Sequence, residues 1–370
     1  MASIAEVDSR LDDGPTTCAI IEIKSAHEVE LFNESHLEQA EQLLSLLQEF
    51  AAKFKHAKGA RPLFTTVSVT RWIFATNMIE QSGLSESDTQ AVVEGKAALI
   101  SSSQGKSEVL NTFELLKKEY NQDGTLPTRL FDEFSLCNWH KELFKEVLDP
   151  IDCGMFRKKM VHASGIVTQF YLHHSLVPET VKKLCRTVSA LAKTVNPANQ
   201  LDKTKIAGVF GLAAFSQFHF VDIHPFIDGN GRMCRYLSKR IIDEVCQVPF
   251  PMFDNRELYI ESLIEGRKLT PGTTHHPLLS LLLDSAIKWY SSMLRLPFSD
   301  IPETFIVSTL TDLHTRLNDF SPVDQAFVRA QFKTVEYETL KRLTLPQSGL
   351  EIGIWRPMTQ EEFDQHFDDL

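Results

Sequence analysis

The sequence has few cysteines, a shortage of positive charge and no long uncharged apolar run. Its six cysteines, Cys18, Cys137, Cys153, Cys185, Cys234 and Cys246, show no C-x-x-C spacing, which leaves reduced, mostly buried thiols as the expectation. Lysine and arginine number 38 against 49 aspartates and glutamates, a net charge of −11. That balance argues against a surface that coats nucleic acid, so no nucleic-acid partner is expected. An anionic substrate would have to be held by a local cluster of cations. No uncharged apolar run reaches the roughly 18 to 20 residues of a membrane span, so no membrane partner is expected either. Met1 to Thr17 carries acids and lacks the apolar stretch of a secretory signal. These absences point to a cytoplasmic protein, with the nucleus as the alternative.

What is present is an ordinary globular composition, 43% hydrophobic and 24% charged, over 370 residues. Residues 1–33 are polar and read as a mobile arm, with at most a short strand at Ala19–Ile23. Apolar residues then recur at helical spacing over His36–Lys58, about 68–81, Glu86–Ile100, Lys106–Tyr120 and Thr128–Val147, with Ser101–Lys106 as a loop. Between Asp149 and Val177 the pattern loosens into alternation, which predicts a short β-hairpin. Helices follow over Glu179–Val195, around a stripe of Ile206, Val209, Phe210, Ala213 and Ala214, around Cys234, Leu237, Ile241 and Val245, and over Asn255–Lys268 and Pro277–Leu294. Helical patterns at Pro302–Leu317 and Val323–Leu343 precede an apolar piece, Ile352–Trp355, and an acidic end. The expectation is a mainly α protein: N-terminal helices over 34–125, a helical core over 126–296 and a C-terminal helical extension over 297–370.

One stretch concentrates the chemistry: His224-Pro-Phe-Ile-Asp-Gly-Asn-Gly-Arg-Met-Cys-Arg235. Gly229 and Gly231 before a helix start permit close backbone approach, and Asn230 can hold the turn through its side chain. Backbone N–H groups converging there, with the helix dipole behind them, make an anion nest suited to a diphosphate. Arg232 and Arg235 lie on one helix face and would neutralise the distal phosphates of a triphosphate. Asp228 beside the nest would hold Mg²⁺ against those phosphates. His224 can take a proton from an attacking hydroxyl near neutral pH. Phe226 is the loop's anchor in the core. Singly, each residue has a plain structural explanation; the conjunction within twelve positions is hard to obtain for structural reasons alone.

His224-Pro-Phe-x-Asp-Gly-Asn-Gly-Arg-x-x-Arg235 matches the motif of Fic-domain proteins at all nine specified positions. Weaker resemblance runs from Phe64 to Leu294 and includes Gly154-Met-Phe-Arg157 and Arg256-Glu-Leu-Tyr259. The resemblance implies a Fic-type helical core with a β-hairpin flap, binding Mg·ATP and transferring AMP to a Ser, Thr or Tyr hydroxyl of a target protein. It implies His224 as base, Asp228 as Mg²⁺ ligand, and Gly229, Asn230 and Gly231 as anion hole. Arg232 would engage the phosphates, Arg235 the γ-phosphate. Ile166, Val167, Thr168, Gln169, Phe170, Tyr171 and Leu172 would form the flap that docks a target by strand pairing.

The family also carries an inhibitory helix, Ser/Thr-x-x-x-Glu-Gly/Asn, which Thr76-Asn-Met-Ile-Glu80-Gln81 matches except at Gln81. Glu80 pairing with Arg235 would remove the γ-phosphate's partner. Tyr259 is a candidate to face the base, although a helical tyrosine is more often packing. The pairs His173-His174 and His275-His276 lack an acidic or cysteine partner at ligand spacing and read as surface or packing residues. Alternatives left open are AMP removal, transfer of another nucleotide or phosphate-containing group, and a non-catalytic ATP-sensing scaffold. A homodimer would suit a family whose inhibitory helices need tuning.

Overall fold

The computed structural model describes residues 21–54, 60–93, 95, 102–120, 132–163, 169–195, 201–246, 250–253, 255–294, 306–307, 320–332, 340–348 and 351–355. Its helices are α1 (Glu34–Phe54), α2 (Ala60–Ile79), α3 (Glu86–Val93), α4 (Ser103–Tyr120), α5 (Glu133–Leu143), α6 (Val177–Val195), α7 (Lys203–Ile223), α8 (Asn230–Ile242), α9 (Arg256–Arg267), α10 (His276–Leu294) and α11 (Pro322–Phe332). The chain is mainly α.

The core is organised around α7. Asp202 caps it, accepting a hydrogen bond from Lys205 N at 2.8 Å. One buried stripe was the sequence expectation, but α7 is enclosed on all sides, by α1, α6, α8 and α10. Even Ser216, Gln217 and His219 are buried. By length and composition α7 could cross a membrane, yet 94% of its apolar window lies inside the protein. α8 is almost as enclosed, with Arg232, Arg235, Lys239 and Arg240 all buried. Charges so placed need partners: the α2 end and α4 supply those of Arg235 and Arg232, while Lys239 pairs with Asp243 at the end of its own helix.

Several boundaries differ from the sequence reading. The described part of the expected mobile arm, 21–33, is seated on the core: Ile23 is buried, and Glu30 N donates to Gly272 O at 3.2 Å. Gly211 lets the arm approach, because a Cβ there would lie 2.4 Å from Leu31 O. α2 starts well before residue 68, and Ser103–Lys106, expected as loop, is the first turn of α4.

The hairpin pairs β1 (His162–Ala163) with β2 (Gln169–Phe170), antiparallel. The C-terminal extension is not simply helical. β3 (Ile306–Val307), β4 (Leu340–Thr344) and β5 (Glu351–Trp355) form a sheet of order β3-β5-β4. α11 packs on it through Val328 against Leu345, Ile352 and Ile354. Asp324 of α11 accepts from Gln347 N at 2.8 Å and Ser348 N at 3.1 Å, tying the helix to the β4–β5 turn. Hairpin pairing with β5 overrode the helical pattern of Leu340–Leu343.

α2 ends in a left-handed cap. Ser82 N donates to Asn77 O at 3.0 Å and Gln81 N to Met78 O at 2.8 Å, while Gln81 has φ 55°. This is the double hydrogen bond that closes a helix when the residue past its end turns left-handed. Glycine or asparagine fits that position best, and Gln81 carries the steric cost of its Cβ. Replacing Gln81 by glycine should therefore stabilise the fold by about 1 kcal/mol, read as a higher midpoint in urea unfolding.

Candidate functional site

The site is the turn from the end of α7 to the start of α8. His224 terminates α7 in a left-handed conformation, φ 51°. A non-glycine residue holds that geometry only where its surroundings over-determine it. Arg157 supplies much of that determination. Its Nε donates to His224 O at 2.7 Å, Nη1 to Lys159 O at 2.8 Å, and Nη2 to Leu172 O and, at 3.4 Å, Ile223 O. Its own N–H donates to Pro225 O at 2.9 Å. A guanidinium thus sits against the negative end of α7 and ties it to the chain entering and leaving the hairpin.

Beyond it, Phe226 is fully buried and stacks on His140 at 3.8 Å. Asn230 closes the loop: its Oδ1 accepts from Phe226 N and its Nδ2 donates to Phe226 O, both at 2.9 Å. Gly154 N donates to Nδ1 of His140 at 2.9 Å, so Nε2 carries the proton and donates to Asp228 O at 3.0 Å. Burial holds the pKa of His140 down to about 4, keeping this tautomer neutral. Gly229, φ 80°, then opens α8; a Cβ there would meet the Phe144 ring at 2.1 Å.

His224 lies with its ring stacked on Tyr171 at 3.8 Å. Its Nδ1 is 3.2 Å from Val221 O, a carbonyl that can only accept. Nδ1 therefore carries the proton and Nε2 presents a lone pair. Burial pushes its pKa down to about 4, Arg157 and Arg267 adding to that and Glu80 opposing it. Burial also raises the Tyr171 phenol to about 12. Beside them Arg267 grips Asp222 Oδ1 at 2.6 and 3.1 Å.

The arginines are held by two different helices. Arg235 is 1% exposed, with Nε donating to Thr76 Oγ1 at 2.8 Å and Nη2 to Thr76 O at 2.9 Å and Glu80 Oε1 at 2.7 Å. A Cβ added to Gly231 would lie 1.9 Å from that same Glu80 oxygen. The Glu80 carboxylate thus rests on the backbone of the nest as well as on the guanidinium. Burial alone would raise its pKa; Arg235 and, less strongly, Arg232 outweigh that and hold it below the ordinary carboxylate value. Arg232 pairs instead with Glu108 of α4, Nη1 to Oε1 at 3.1 Å, and lies over the Phe144 ring at 4.3 Å.

Asp228 is beside the nest and partly exposed, with Oδ1 accepting from Gly229 N at 2.6 Å. Tyr259 does not face a ligand space: it is 2% exposed, packed on Phe253 at 4.6 Å with Arg235 over its ring at 5.7 Å. Of the flap residues, Ile166, Val167 and Thr168 lie outside the described residues, and Gln169 and Phe170 form β2. Tyr171 and Leu172 are core instead of flap surface, because they must support His224 and accept from Arg157. His275 is buried and His276 donates to Glu30 O at 2.7 Å. Among the described residues no cluster of three or more His, Cys, Asp or Glu could hold a metal. Sequence reasoning missed His140 and Glu108. A lone histidine and a lone helical glutamate carry no local signal of their distant partners.

His140, His219 and His224 all have pKa values near 4 against an ordinary 6.5, burial being the main cause in each. Between those values the unfolded chain binds protons that the folded one refuses. Stability should therefore be full above pH 6.5 and fall as pH drops towards about 4. Each histidine contributes at most about 1.4 kcal/mol per pH unit. Thermal unfolding midpoints from pH 8 to 4.5 would show this loss, and a flat profile down to pH 5 would refute it.

The Fic/DOC family pattern matches residues 130–242. A Fido domain-containing protein of Dictyostelium discoideum is 31% identical over 143 residues, covering 38% of this chain and 91% of that protein. Protein adenylyltransferase Fic of Nematostella vectensis is 30% identical over 200 residues, covering 52% of this chain and 42% of the relative. The counterpart in Drosophila ananassae is 23% identical over 222 residues, covering 59% and 40%. The chain thus spans about two fifths of the length of these two adenylyltransferases. Among solved structures, a fragment of Fic-1 from C. elegans superposes with TM-score 0.55 at 18% identity, covering 69% of this chain and 70% of the fragment. A Fic domain containing signaling protein of Bacteroides thetaiotaomicron gives 0.57 at 16%, covering 69% and 96%. At that identity the two structures speak for the fold alone. On its family match and its likeness to most of the Dictyostelium protein, the chain belongs to the Fic/DOC family.

Proposed function

We propose that this chain transfers AMP from ATP to a hydroxyl of a target protein and that Glu80 restrains it. The carrying observation is the joint placement of a neutral, Nε2-basic His224, a glycine nest at the start of α8, and a Glu80 carboxylate lying on that nest and on Arg235. The names of the relatives, protein adenylyltransferase Fic, support the reaction class.

In this reading the acceptor hydroxyl gives its proton to His224 Nε2 while its oxygen attacks the α-phosphorus. The bond to the β-phosphate oxygen breaks and pyrophosphate leaves. The nest and Arg232 hold the phosphates, and Arg235 reaches them only when Glu80 withdraws. Asp228 fits a magnesium site, since Oδ1 is engaged by Gly229 N and Oδ2, without a partner among the described residues, is left for a cation. Magnesium usually takes one or two carboxylates plus phosphate oxygens, and bound there it would offset phosphate charge. A second reading, removal of AMP by water, draws on the part-exposed Glu80 carboxylate, of which one oxygen is engaged by Arg235. Glu80 would then orient the water.

Glu80→Gly should raise labelling from α-phosphate-labelled ATP at least about tenfold, as expected for one charge-assisted contact of roughly 1.5–3 kcal/mol. Adding His224→Ala should abolish it. A Glu80→Gly protein that binds ATP with magnesium but never becomes labelled, and labels no target, would overturn the transferase reading. The rate in Glu80→Gly should stay level from pH 8 to 5.5 and fall only near or below pH 4, because burial already holds His224 as the free base and the substitution removes the Glu80 charge, which raises its pKa, leaving only the Val221 carbonyl to do so.

A further inference from the structure

Glu108 and Asn111 stand one turn apart on α4, and both serve one arginine. Glu108 is 3% exposed and pairs with the Arg232 guanidinium at 3.1 Å. Asn111 donates through Nδ2 to Leu143 O at 3.2 Å and Lys145 O at 2.7 Å, the carbonyls on either side of Phe144. Phe144 is fully buried; its ring lies under the Arg232 guanidinium at 4.3 Å and fills the space a Cβ of Gly229 would occupy. Arg232 is therefore seated between a carboxylate and an aromatic face, both positioned by α4. Its Nε is buried without a hydrogen-bond partner among the described residues, so the seat leaves donor capacity unspent.

Arg235 makes the contrast plain. Of its partners, Thr76 and Glu80, the Glu80 carboxylate lies on the nest, and it is 36% exposed in its side chain, so it can leave into solvent. Glu108 has no such exit, since leaving would strand two buried charges. The two acids thus do different work.

We propose that Glu108, with Asn111 behind it, is a positioning residue that fixes Arg232 for the β- and γ-phosphates of a nucleoside triphosphate. This rests on the reading of the α8 start as a phosphate site. Freezing the guanidinium before the ligand arrives removes the ordering cost of a long side chain. Because Arg232 would meet only the distal phosphates, the effect separates ATP from AMP.

The test is calorimetric binding of ATP and of AMP, each with magnesium, to Glu80→Gly and to the same protein carrying a second substitution. Glu108→Ala should weaken ATP about tenfold and leave AMP within about twofold. Glu108→Gln, which can still accept from Arg232, should recover most of the loss. In an Arg232→Ala background Glu108→Ala should add nothing. Asn111→Ala, which leaves the buried ion pair in place, should weaken ATP by a smaller factor and is the fallback if Glu108→Ala does not fold. Equal losses for ATP and AMP, or a full loss persisting without Arg232, would mean that Glu108 merely supports the fold and would overturn the proposal. If Glu80→Gly binds neither ATP nor pyrophosphate, the phosphate site itself fails and this inference falls with it. If Glu80→Gly binds ATP and the α4 variants match it, only the inference falls.

Discussion

A guanidinium cannot be buried without a partner, and this constraint shapes the half of the protein that faces the site. α8 enters a dry core carrying Arg232 and Arg235. Glu80 and Thr76 meet the second arginine from α2, and Glu108 meets the first from α4. α2, α3 and α4 pack on one another, so the two contacts belong to one helical layer laid across the start of α8. The layer's cohesion and its effect on the nest have the same electrostatic origin. Removing a carboxylate from either arginine therefore acts on both stability and ligand binding, and only comparisons between ligands can separate the two.

The turn itself is governed by backbone satisfaction. Within a few residues it must end one buried helix and start another, with little water to take up unpaired N–H and C=O groups. Asn230 solves part of this by bonding both backbone groups of Phe226. Arg157 takes the carbonyls at the end of α7, and His140 takes that of Asp228. The His224 ring is held as a by-product: its left-handed backbone aims it at Tyr171, and Val221 O selects its tautomer. Burial then keeps it neutral, so the proton-accepting form is set by packing and needs no neighbouring carboxylate.

Much of this was legible in the sequence where the signal was local. Gly229, Asn230, Gly231 and the arginine pair announce a nest at a helix start because loop chemistry, dipole and spacing all act within a few residues. The spacing from Thr76 to Glu80 likewise places both on one helix face, ready for a common partner. Glu108 and His140 gave no such signal, since a glutamate or histidine on a helix looks the same whether it meets water or a residue far along the chain. Tyr171 was misread for the opposite reason. Its alternating neighbours are genuine strand signals, but the ring itself is claimed by His224. The C-terminal piece was misjudged because the helical spacing in Leu340–Leu343 was read without its hairpin partner Ile352–Trp355, to which β3 adds from earlier in the chain.

The sequence by itself determined a mainly helical chain, the α7–α8 turn and the donors and acceptors gathered in it, because helix periodicity, capping and glycine geometry are short-range properties. Only the tertiary structure decided which helix answers Arg232, how the His224 proton is placed, and that Tyr171 and Tyr259 are core. Those outcomes follow from burial and charge pairing across long stretches of chain, which no run of neighbouring residues encodes.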